Sequence, residues 1–289
     1  MNIAYFNGNF LPKDEIRISP DDRGFLFADG IYEVAKWYEG FFFDMESHLI
    51  RMKRSLREVR INWPGEDSFP AFAEELIERN QLSDRQALIY LQVTRGASPR
   101  SHAFPDPEVP PTVYAFVNEF NSHLPGSESG VRIMLKEDFR WNRCDIKSVA
   151  LLANILSFQE AREKGLWECV FVRNGLITEG SHSNIFFVIN GILYTHPESH
   201  YILSGVTRKN IFRIAGEAGI PVKEEPLPAD KIGTIQEAFT TNTSAEITPV
   251  IAIDDLKIGN GLPGPVTKLL RKNFDAEIIS LGKGKTKFT

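Results

Sequence analysis

Two short segments carry side chains that can do chemistry together. Arg143-Cys144-Asp145-Ile146-Lys147-Ser148 sets one lysine just ahead of the apolar run Val149 to Leu156. Thr178-Glu179-Gly180-Ser181-His182-Ser183-Asn184 sets one carboxylate in a Gly/Ser turn ahead of Ile185-Phe186-Phe187-Val188. A lysine and a glutamate on neighbouring elements form an ion pair in the simplest case. The same two groups also suit pyridoxal phosphate, the amine as a Schiff-base former and the carboxylate on the pyridine nitrogen. The pair alone leaves both readings open.

Further segments have two readings each. Ser204-Gly205-Val206-Thr207-Arg208 reads as a turn into a helix N-terminus. Thr207 can cap that helix. Equally, free backbone N–H groups, a hydroxyl and the positive end of the helix dipole can hold a phosphate there. Asn242-Thr243-Ser244 is a second hydroxyl-rich turn. Arg51 shares a helical face with His48 and Ser55, as a solvated or ion-paired arginine or as part of an anion site. Arg95 to His102 is expected to be an exposed, non-regular loop. Arg100 and His102 flank Ser101 there, and either face solvent or grip a carboxylate.

Other motifs carry less. Gly259-Asn260-Gly261-Leu262-Pro263-Gly264 matches G-x-G-x-x-G, but it opens no βαβ unit near a strand-borne acid. A turn into the last helix accounts for it. His196-Pro197-Glu198-Ser199-His200 has ligand-like spacing without a third ligand, so no metal site is expected. No G-x-S-x-G elbow is present. Cys144 and Cys169 have no metal-ligand spacing and are too few for a disulfide scaffold.

Periodicity indicates the elements that must position these groups. Asn7-Gly8 between Ile3-Ala4-Tyr5-Phe6 and Phe10-Leu11 predicts a hairpin. Ile31 to Tyr38 alternates, with Tyr32, Val34, Lys36 and Tyr38 on one face and Ile31, Glu33, Ala35 and Trp37 on the other. Leu49, Met52, Leu56 and Val59 predict a helix over 46–59, and a second is expected over 68–80 with Ser68 as its cap. Ala87 to Thr94 and Thr112 to Val117 read as buried strands. The second half is expected to open on strand Val131 to Leu135. A helix over about 150–164 ends near Gly165. Hairpins turn at Asn174-Gly175 and Asn190-Gly191. A helix starts near Thr207, two strands flank Asn242 to Glu246, and a last helix covers about 264–273.

The chain has 289 residues, with 42% apolar content, 25% charged content and a net charge of −5. That is enough material for two medium α+β domains, and the negative balance argues against nucleic acid as a main partner. The polar stretch with Pro125-Gly126 is the expected linker, giving domains over 1–119 and 130–289 with the linker at 120–129. The Lys283 to Lys287 tail is expected to be a solvated terminus. Neither a secretory leader nor a membrane span is visible, so a cytoplasmic protein is expected.

These pieces occur together, in order, in one family. From about Tyr5 to Phe274 the chain resembles the class IV (fold type IV) pyridoxal-phosphate aminotransferases, on the D-amino acid side of that family. The segments that carry the resemblance are Asp22-Arg23-Gly24, Asp29 to Val34, Gln92 to His102, Arg143 to Ser148, Thr178 to Ser181, Gly205 to Arg208 and Glu246 to Val250. The lysine and glutamate segments mark the fold type, and Arg95 to His102 marks the D-amino acid subgroup.

The resemblance implies a small N-terminal α/β domain and a larger C-terminal pseudo-barrel domain, with pyridoxal 5'-phosphate between them. Lys147 is implied as the cofactor's attachment point and as the base that moves the Cα proton. Glu179 is implied on the pyridine N–H. Arg51, Val206, Thr207 and Thr243 are implied on the phosphate. Tyr32, with Arg100 and His102 reaching in from a second subunit, is implied as the trap for the substrate α-carboxylate, which makes the enzyme a homodimer with shared sites. The implied reaction is ping-pong transamination of D-alanine with 2-oxoglutarate, giving pyruvate and D-glutamate.

A branched-chain L-aminotransferase or an aminodeoxychorismate lyase would share the fold; the Arg100/His102 pair argues against both. A cofactor-free binding protein on this fold is the remaining alternative, opposed by the intact Lys147, Glu179, Arg51 and Thr243. Two positions depart from the family pattern: His182 and Asn242 stand where serines are usual. Both are expected near the cofactor, His182 either as a positive charge favouring acidic substrates or as a neutral packing residue.

Overall fold

Asn7 and Gly8 take positive φ values of 47° and 91°, the left-handed backbone that a tight hairpin requires. They join strands β1 (Ile3–Phe6) and β2 (Asn9–Pro12) as the sequence predicts. The computed structural model describes residues 2–120 and 129–285, so residues 121–128 of the expected linker lie outside the described residues. The chain divides into two units. One comprises Met1–Asn121, Ile146–Ala150 and Gly282–Thr289; the other comprises Ser122–Asp145 and Leu151–Leu281.

The first unit continues with helix α1 (Arg23–Phe27), strand β3 (Gly30–Tyr38), helices α2 (Met45–Val59) and α3 (Phe69–Arg79), and strands β4 (Gln86–Thr94) and β5 (Thr112–Glu119). The five strands form an antiparallel sheet in the order β2-β1-β5-β4-β3. Alternation puts Ile31, Ala35 and Trp37 on one face with Ile89, Leu91 and Val93 of β4 and Val113, Ala115 and Val117 of β5. Met52 and Leu56 of α2 and Phe69, Phe72, Leu76 and Ile77 of α3 complete this core. Each Val, Leu, Ile, Met and Phe side chain among them contributes roughly 1.5–3 kcal/mol by leaving water. The strands β4 and β5 are buried on this face only; Leu88, Tyr90 and Gln92 on the other are half-buried. Ser68 holds the N-cap position of α3 as expected, but its side chain makes no capping bond to the helix. Its hydroxyl donates to the Gly65 carbonyl at 2.6 Å, closing the short 3-10 turn that leads into the helix.

The second unit holds β6 (Val131–Glu137), α4 (Leu152–Glu163), β7 (Glu168–Arg173), β8 (Leu176–Gly180), β9 (Asn184–Ile189), β10 (Ile192–Thr195), α5 (Val206–Glu217), β11 (Val222–Glu224), β12 (Glu237–Asn242), β13 (Glu246–Ile253) and β14 (Leu256–Lys257). Its curled mixed sheet runs β11-β10-β9-β12-β13-β6-β7-β8, with β14 on β13. Both predicted Asn-Gly turns are present, each with positive φ at both residues. Helix α6 (Pro265–Lys285) extends well past the expected end at 273. No proline follows to stop it, and Glu277 on its later turns pairs with Arg213 of α5.

Candidate active site

In the first unit, Ile146–Ala150 runs beside β3. Tyr32 N–H donates to the Lys147 carbonyl at 2.9 Å and Val149 N–H to the Gly30 carbonyl at 3.1 Å. Lys147 N–H donates to Ser55 Oγ on α2 at 3.3 Å. The lysine backbone is thus fixed from a strand and a helix. Its Nζ lies 4.2 Å from the Tyr32 ring centroid, a cation–π distance. The Tyr32 ring stacks on Tyr90 at 5.7 Å. The structure therefore brings Lys147 and Tyr32 into contact.

Arg51 lies one turn from His48 and one from Ser55 on α2, and both it and His48 reach Glu33 of β3. Arg51 Nε donates to Glu33 Oε2 at 3.0 Å and Nη2 donates to Oε1. His48 Nδ1 lies 3.0 Å from Oε1 and must carry the proton in that bond, because an ionised carboxylate only accepts. Glu33 is fully buried. Burial favours its neutral form, but Arg51 and His48 outweigh that and hold the carboxyl far below the usual range. Burial in turn pushes His48 down, aided by Arg51 and Lys147 and opposed by Glu33.

The loop after β4 is not exposed throughout. Arg95 is buried; its Nε and Nη2 donate to Asp29 at 2.8 and 3.0 Å, and its Nη groups also reach the Arg60 and Val59 carbonyls. Its guanidinium lies 3.6 Å from the Phe104 ring centroid. Arg23 pairs with the same Asp29 and donates to the Ser101 and Ala103 carbonyls. Arg100 and His102 are exposed, and both lie against Phe27, at 4.9 and 5.5 Å from its ring centroid. Within the chain the structure brings these two together. Among the described residues neither makes a hydrogen bond or ring contact with Tyr32 or Lys147.

In the second unit, Glu179 lies near the end of β8 and is 4% exposed. Oε1 accepts from Arg140 Nη1 at 2.7 Å; Oε2 accepts from Leu203 N–H at 2.9 Å and Asn184 Nδ2 at 3.2 Å. Arg140 is itself held by Asp138 through Nε and Nη2. Burial pushes the Glu179 carboxyl up to about 7, against the pull of Arg140. Asn184 Nδ2 also donates to the Leu203 carbonyl at 2.9 Å, so one amide ties the carboxylate to the segment leading into α5.

The cap of α5 is Gly205, with φ −72° and ψ 137°, not Thr207, which is the second helical residue. Val206 and Thr207 lie in the first turn, whose N–H groups have no acceptors within the helix. Thr207 is buried, and Thr243 is half-buried in the turn after β12. A Cβ on Gly205 would come within 2.2 Å of Asn184 Oδ1, so only glycine lets the helix start this close to Asn184.

Residues 30–253 match the model of the family described as amino-transferase class IV. The chain belongs to the class IV aminotransferases. It is 38% identical over 282 residues to D-alanine aminotransferase of Staphylococcus haemolyticus, covering 97% of this chain and 99% of that one. It is 36% identical over 276 residues to D-alanine aminotransferase of Bacillus licheniformis, covering 95% and 96%. Among solved structures, a branched-chain amino acid aminotransferase of Escherichia coli aligns with a TM-score of 0.86 at 26% identity, covering 95% and 93%. The branched-chain aminotransferase of Thermoproteus uzoniensis with norvaline aligns with a TM-score of 0.86 at 24% identity, covering 96% and 95%, a likeness of fold.

His182 and Asn242, the two positions expected to differ from the family pattern, both have local partners in this class IV aminotransferase. His182 Nδ1 lies 2.9 Å from Oε1 of Glu168, a fully buried carboxylate, and its ring meets Phe158 edge-on. Glu168 also accepts from His182 N–H, Ser181 Oγ and Ser183 Oγ. Burial favours neutral Glu168, but His182 and the Ser183 hydroxyl outweigh it and lower its pKa. Asn242 Oδ1 accepts from Ser244 Oγ and Ala245 N–H, closing the turn between β12 and β13.

Glu33, Arg140 and Asn184 belong to these networks but have no role assigned from sequence. Glu33 left a signal, a carboxylate on the otherwise apolar face of β3. Asn184 stands in the segment singled out for Glu179. Arg140 sits in a polar stretch without periodicity and left no signal.

Proposed function

We propose that this class IV aminotransferase transfers amino groups between D-amino acids and 2-oxo acids on pyridoxal 5'-phosphate, converting D-alanine and 2-oxoglutarate to pyruvate and D-glutamate by a ping-pong route. The observation that carries the reading is the linkage Glu179–Asn184–Leu203–Gly205. It fixes a buried carboxylate relative to a helix N-terminus that offers N–H groups. A carboxyl raised by burial favours a cationic partner, and its Oε1 accepts only one donor among the described residues, leaving acceptor capacity for a ring N–H. The helix end suits a phosphate. The two features match the two ends of one ligand.

When bound, the cofactor supplies an aldehyde carbon for the substrate nitrogen and a protonated ring that draws electrons from Cα. Glu179 holds the proton on the ring nitrogen, and Arg140 and Leu203 N–H hold Glu179. Lys147 anchors the cofactor at rest and moves the proton at substrate Cα, with Tyr32 and Ser55 fixing its position. The Val206 and Thr207 N–H groups, the Thr207 hydroxyl, Thr243 and Arg51 hold the phosphate, with Glu33 fixing the plane of Arg51.

Tyr32, together with Arg100 and His102 of the partner subunit, holds the substrate carboxylate. With nitrogen and carboxylate both fixed, only one enantiomer presents its Cα–H to Lys147. A homodimer is supported by an apolar stripe on α4, where Leu152, Ile155 and Leu156 are 69%, 58% and 54% exposed at helical spacing. The domains of this reading are 1–119 and 130–289, joined by 120–129, and the enzyme works in the cytoplasm.

The handedness rests on the D-alanine aminotransferase relatives and on the Arg100/His102 pair. The branched-chain L-aminotransferases are the second reading, favoured by the solved structures of like fold. Their identities of 24% and 26% are lower than the 36% and 38% to the D-alanine enzymes. The test is a half-reaction. Protein loaded with pyridoxal phosphate receives D-alanine, L-alanine, L-leucine or L-glutamate, and the cofactor's visible band is followed. Bleaching by D-alanine alone is expected. Bleaching by the L-amino acids alone would move the enzyme to the branched-chain side.

A further inference from the structure

β12 pairs with β9 so that Thr241 lies opposite Asn184 and Phe239 opposite Phe186. These residues share one face of the sheet. Phe239 stacks on Phe186 at 5.0 Å, and Phe186 meets Phe212 of α5 at 6.0 Å, so this is the face that α5 covers. At the end of that face the Asn184 amide abuts Gly205, the cap of α5. Directly opposed residues in an antiparallel pair keep their Cβ atoms about 5 Å apart. Thr241 therefore lies under the N-terminus of α5, beside the residue that touches its cap.

Thr241 is 2% exposed, and its Oγ1 has no hydrogen-bond partner among the described residues. Native proteins rarely bury a hydroxyl without a partner. Valine would fill the same space with no such cost, so the hydroxyl points to a partner that the chain does not supply. An anion on the N-terminus of α5, beside Asn184, would accept a hydrogen bond from this hydroxyl. We infer that Thr241 Oγ1 donates to the phosphate bound at the N-terminus of α5, a further hydroxyl of that cradle beside Thr207 and Thr243. The inference rests on the reading of this helix end as the cofactor's phosphate site.

The test uses the full-length apoprotein with three probes: pyridoxal 5'-phosphate, pyridoxal without the phosphate, and inorganic phosphate. Thr241→Val is expected to bind pyridoxal phosphate about tenfold more weakly, the scale of one charge-assisted hydrogen bond. Pyridoxal affinity should stay within about twofold of the parent. The apoprotein should unfold at or above the parent's temperature, because an unpaired buried hydroxyl has gone. The upward shift in unfolding temperature that inorganic phosphate gives the parent should shrink, and Thr241→Ser should restore it.

Unchanged pyridoxal phosphate affinity in Thr241→Val would assign the hydroxyl to a buried water and overturn the inference. Equal losses for pyridoxal and pyridoxal phosphate would also overturn it, as a general disturbance of the fold. If Thr241→Val does not fold, Thr241→Ala is judged by the same ratio of the two affinities. A parent that binds neither pyridoxal phosphate nor inorganic phosphate removes the phosphate site itself, and Thr241 with it. A parent that binds both, beside a Thr241→Val variant that binds them equally well, removes Thr241 alone.

Discussion

Glu33 Oε2 accepts Arg51 Nε at 3.0 Å, while Oε1 accepts both Arg51 Nη2 and His48 Nδ1. A strand carboxylate thus decides where a helix arginine points. Removing it takes a fully buried carboxylate away from a buried guanidinium and from His48, so Glu33→Ala should cost about 3–5 kcal/mol. The folded-state pKa lies below the unfolded one, so the contribution is present above the unfolded value and is lost as pH falls through the depressed folded value. The check is denaturant unfolding of the parent and Glu33→Ala at several pH values. The gap between them should narrow toward acid. An equal stability at pH 7 would show that the pair holds nothing in place.

Glu179 runs the other way. Burial raises its carboxyl to about 7, above an ordinary value of 4.5. Its contribution is fully present below the unfolded value and is lost as pH rises through about 7. The size is on the order of 3 kcal/mol. His48 and His196, both lowered by burial, act oppositely and lose stability toward acid. The difference between the parent apoprotein and Glu179→Gln between about pH 4 and 8 isolates the carboxylate. Stability that falls equally in both over that range would refute the raised pKa. In the loaded enzyme Glu179→Gln should lower kcat by about 10²–10³, the scale of one preorganised electrostatic contact.

What was legible in the sequence had a local cause. The Asn-Gly turns need a positive φ that Asn and Gly provide, and β3 and α2 showed their faces through periods of two and 3.6. Lys147 and Glu179 stood out because each is a charged residue ahead of an apolar run. What was not legible depended on residues distant in sequence. Arg140 is tied to Glu179, Arg95 to Asp29, and Asn184 to Leu203. Arg95 was expected in an exposed loop because a cation after a strand usually meets water. Here a carboxylate, two carbonyls and an aromatic face replace that water. Thr207 was a candidate cap on residue type, but Gly205 takes the position because Asn184 leaves no room for a side chain there.

Lys147→Ala should remove transamination, by at least about 10²–10⁴-fold, the usual contribution of a positioned base. Its backbone contacts with Tyr32 and Ser55 do not involve the amine, so the fold should persist. Pyridoxal phosphate should still bind without covalent attachment, as shown by release on gel filtration in denaturant and by equilibrium titration. Turnover at the parent's rate would dismiss Lys147 as the base.

Arg100 and Arg95 lie on one loop but should behave differently. Arg100 is exposed against Phe27, so Arg100→Ala should change stability by less than about 0.5 kcal/mol. It should raise KM for D-alanine with a smaller effect on kcat, the mark of lost binding in ground and transition states alike. Arg95→Ala leaves Asp29 with Arg23 but removes buried donors from Asp29 and from the Arg60 and Val59 carbonyls, and should cost about 1–3 kcal/mol. Steady-state kinetics and thermal unfolding of the two variants separate these roles. An unchanged KM in Arg100→Ala would take Arg100 out of the carboxylate trap.

Gly205→Ala tests whether Asn184 sets the geometry of the proposed cofactor site. The backbone at Gly205, φ −72° and ψ 137°, is ordinary for any residue, so alanine meets no strain there. Its Cβ would instead meet Asn184 Oδ1 at 2.2 Å. The amide must then move, and with it the bonds to Glu179 and to the Leu203 carbonyl. Overpacking of this kind costs about 1–3 kcal/mol, and pyridoxal phosphate affinity should fall with it. Adding Asn184→Ser opens space beside the alanine. Stability should then recover, while cofactor affinity stays low because the link from Glu179 to the helix end is gone. Recovery of both would mean that only space mattered at Gly205, and that the Asn184 amide does not position the site.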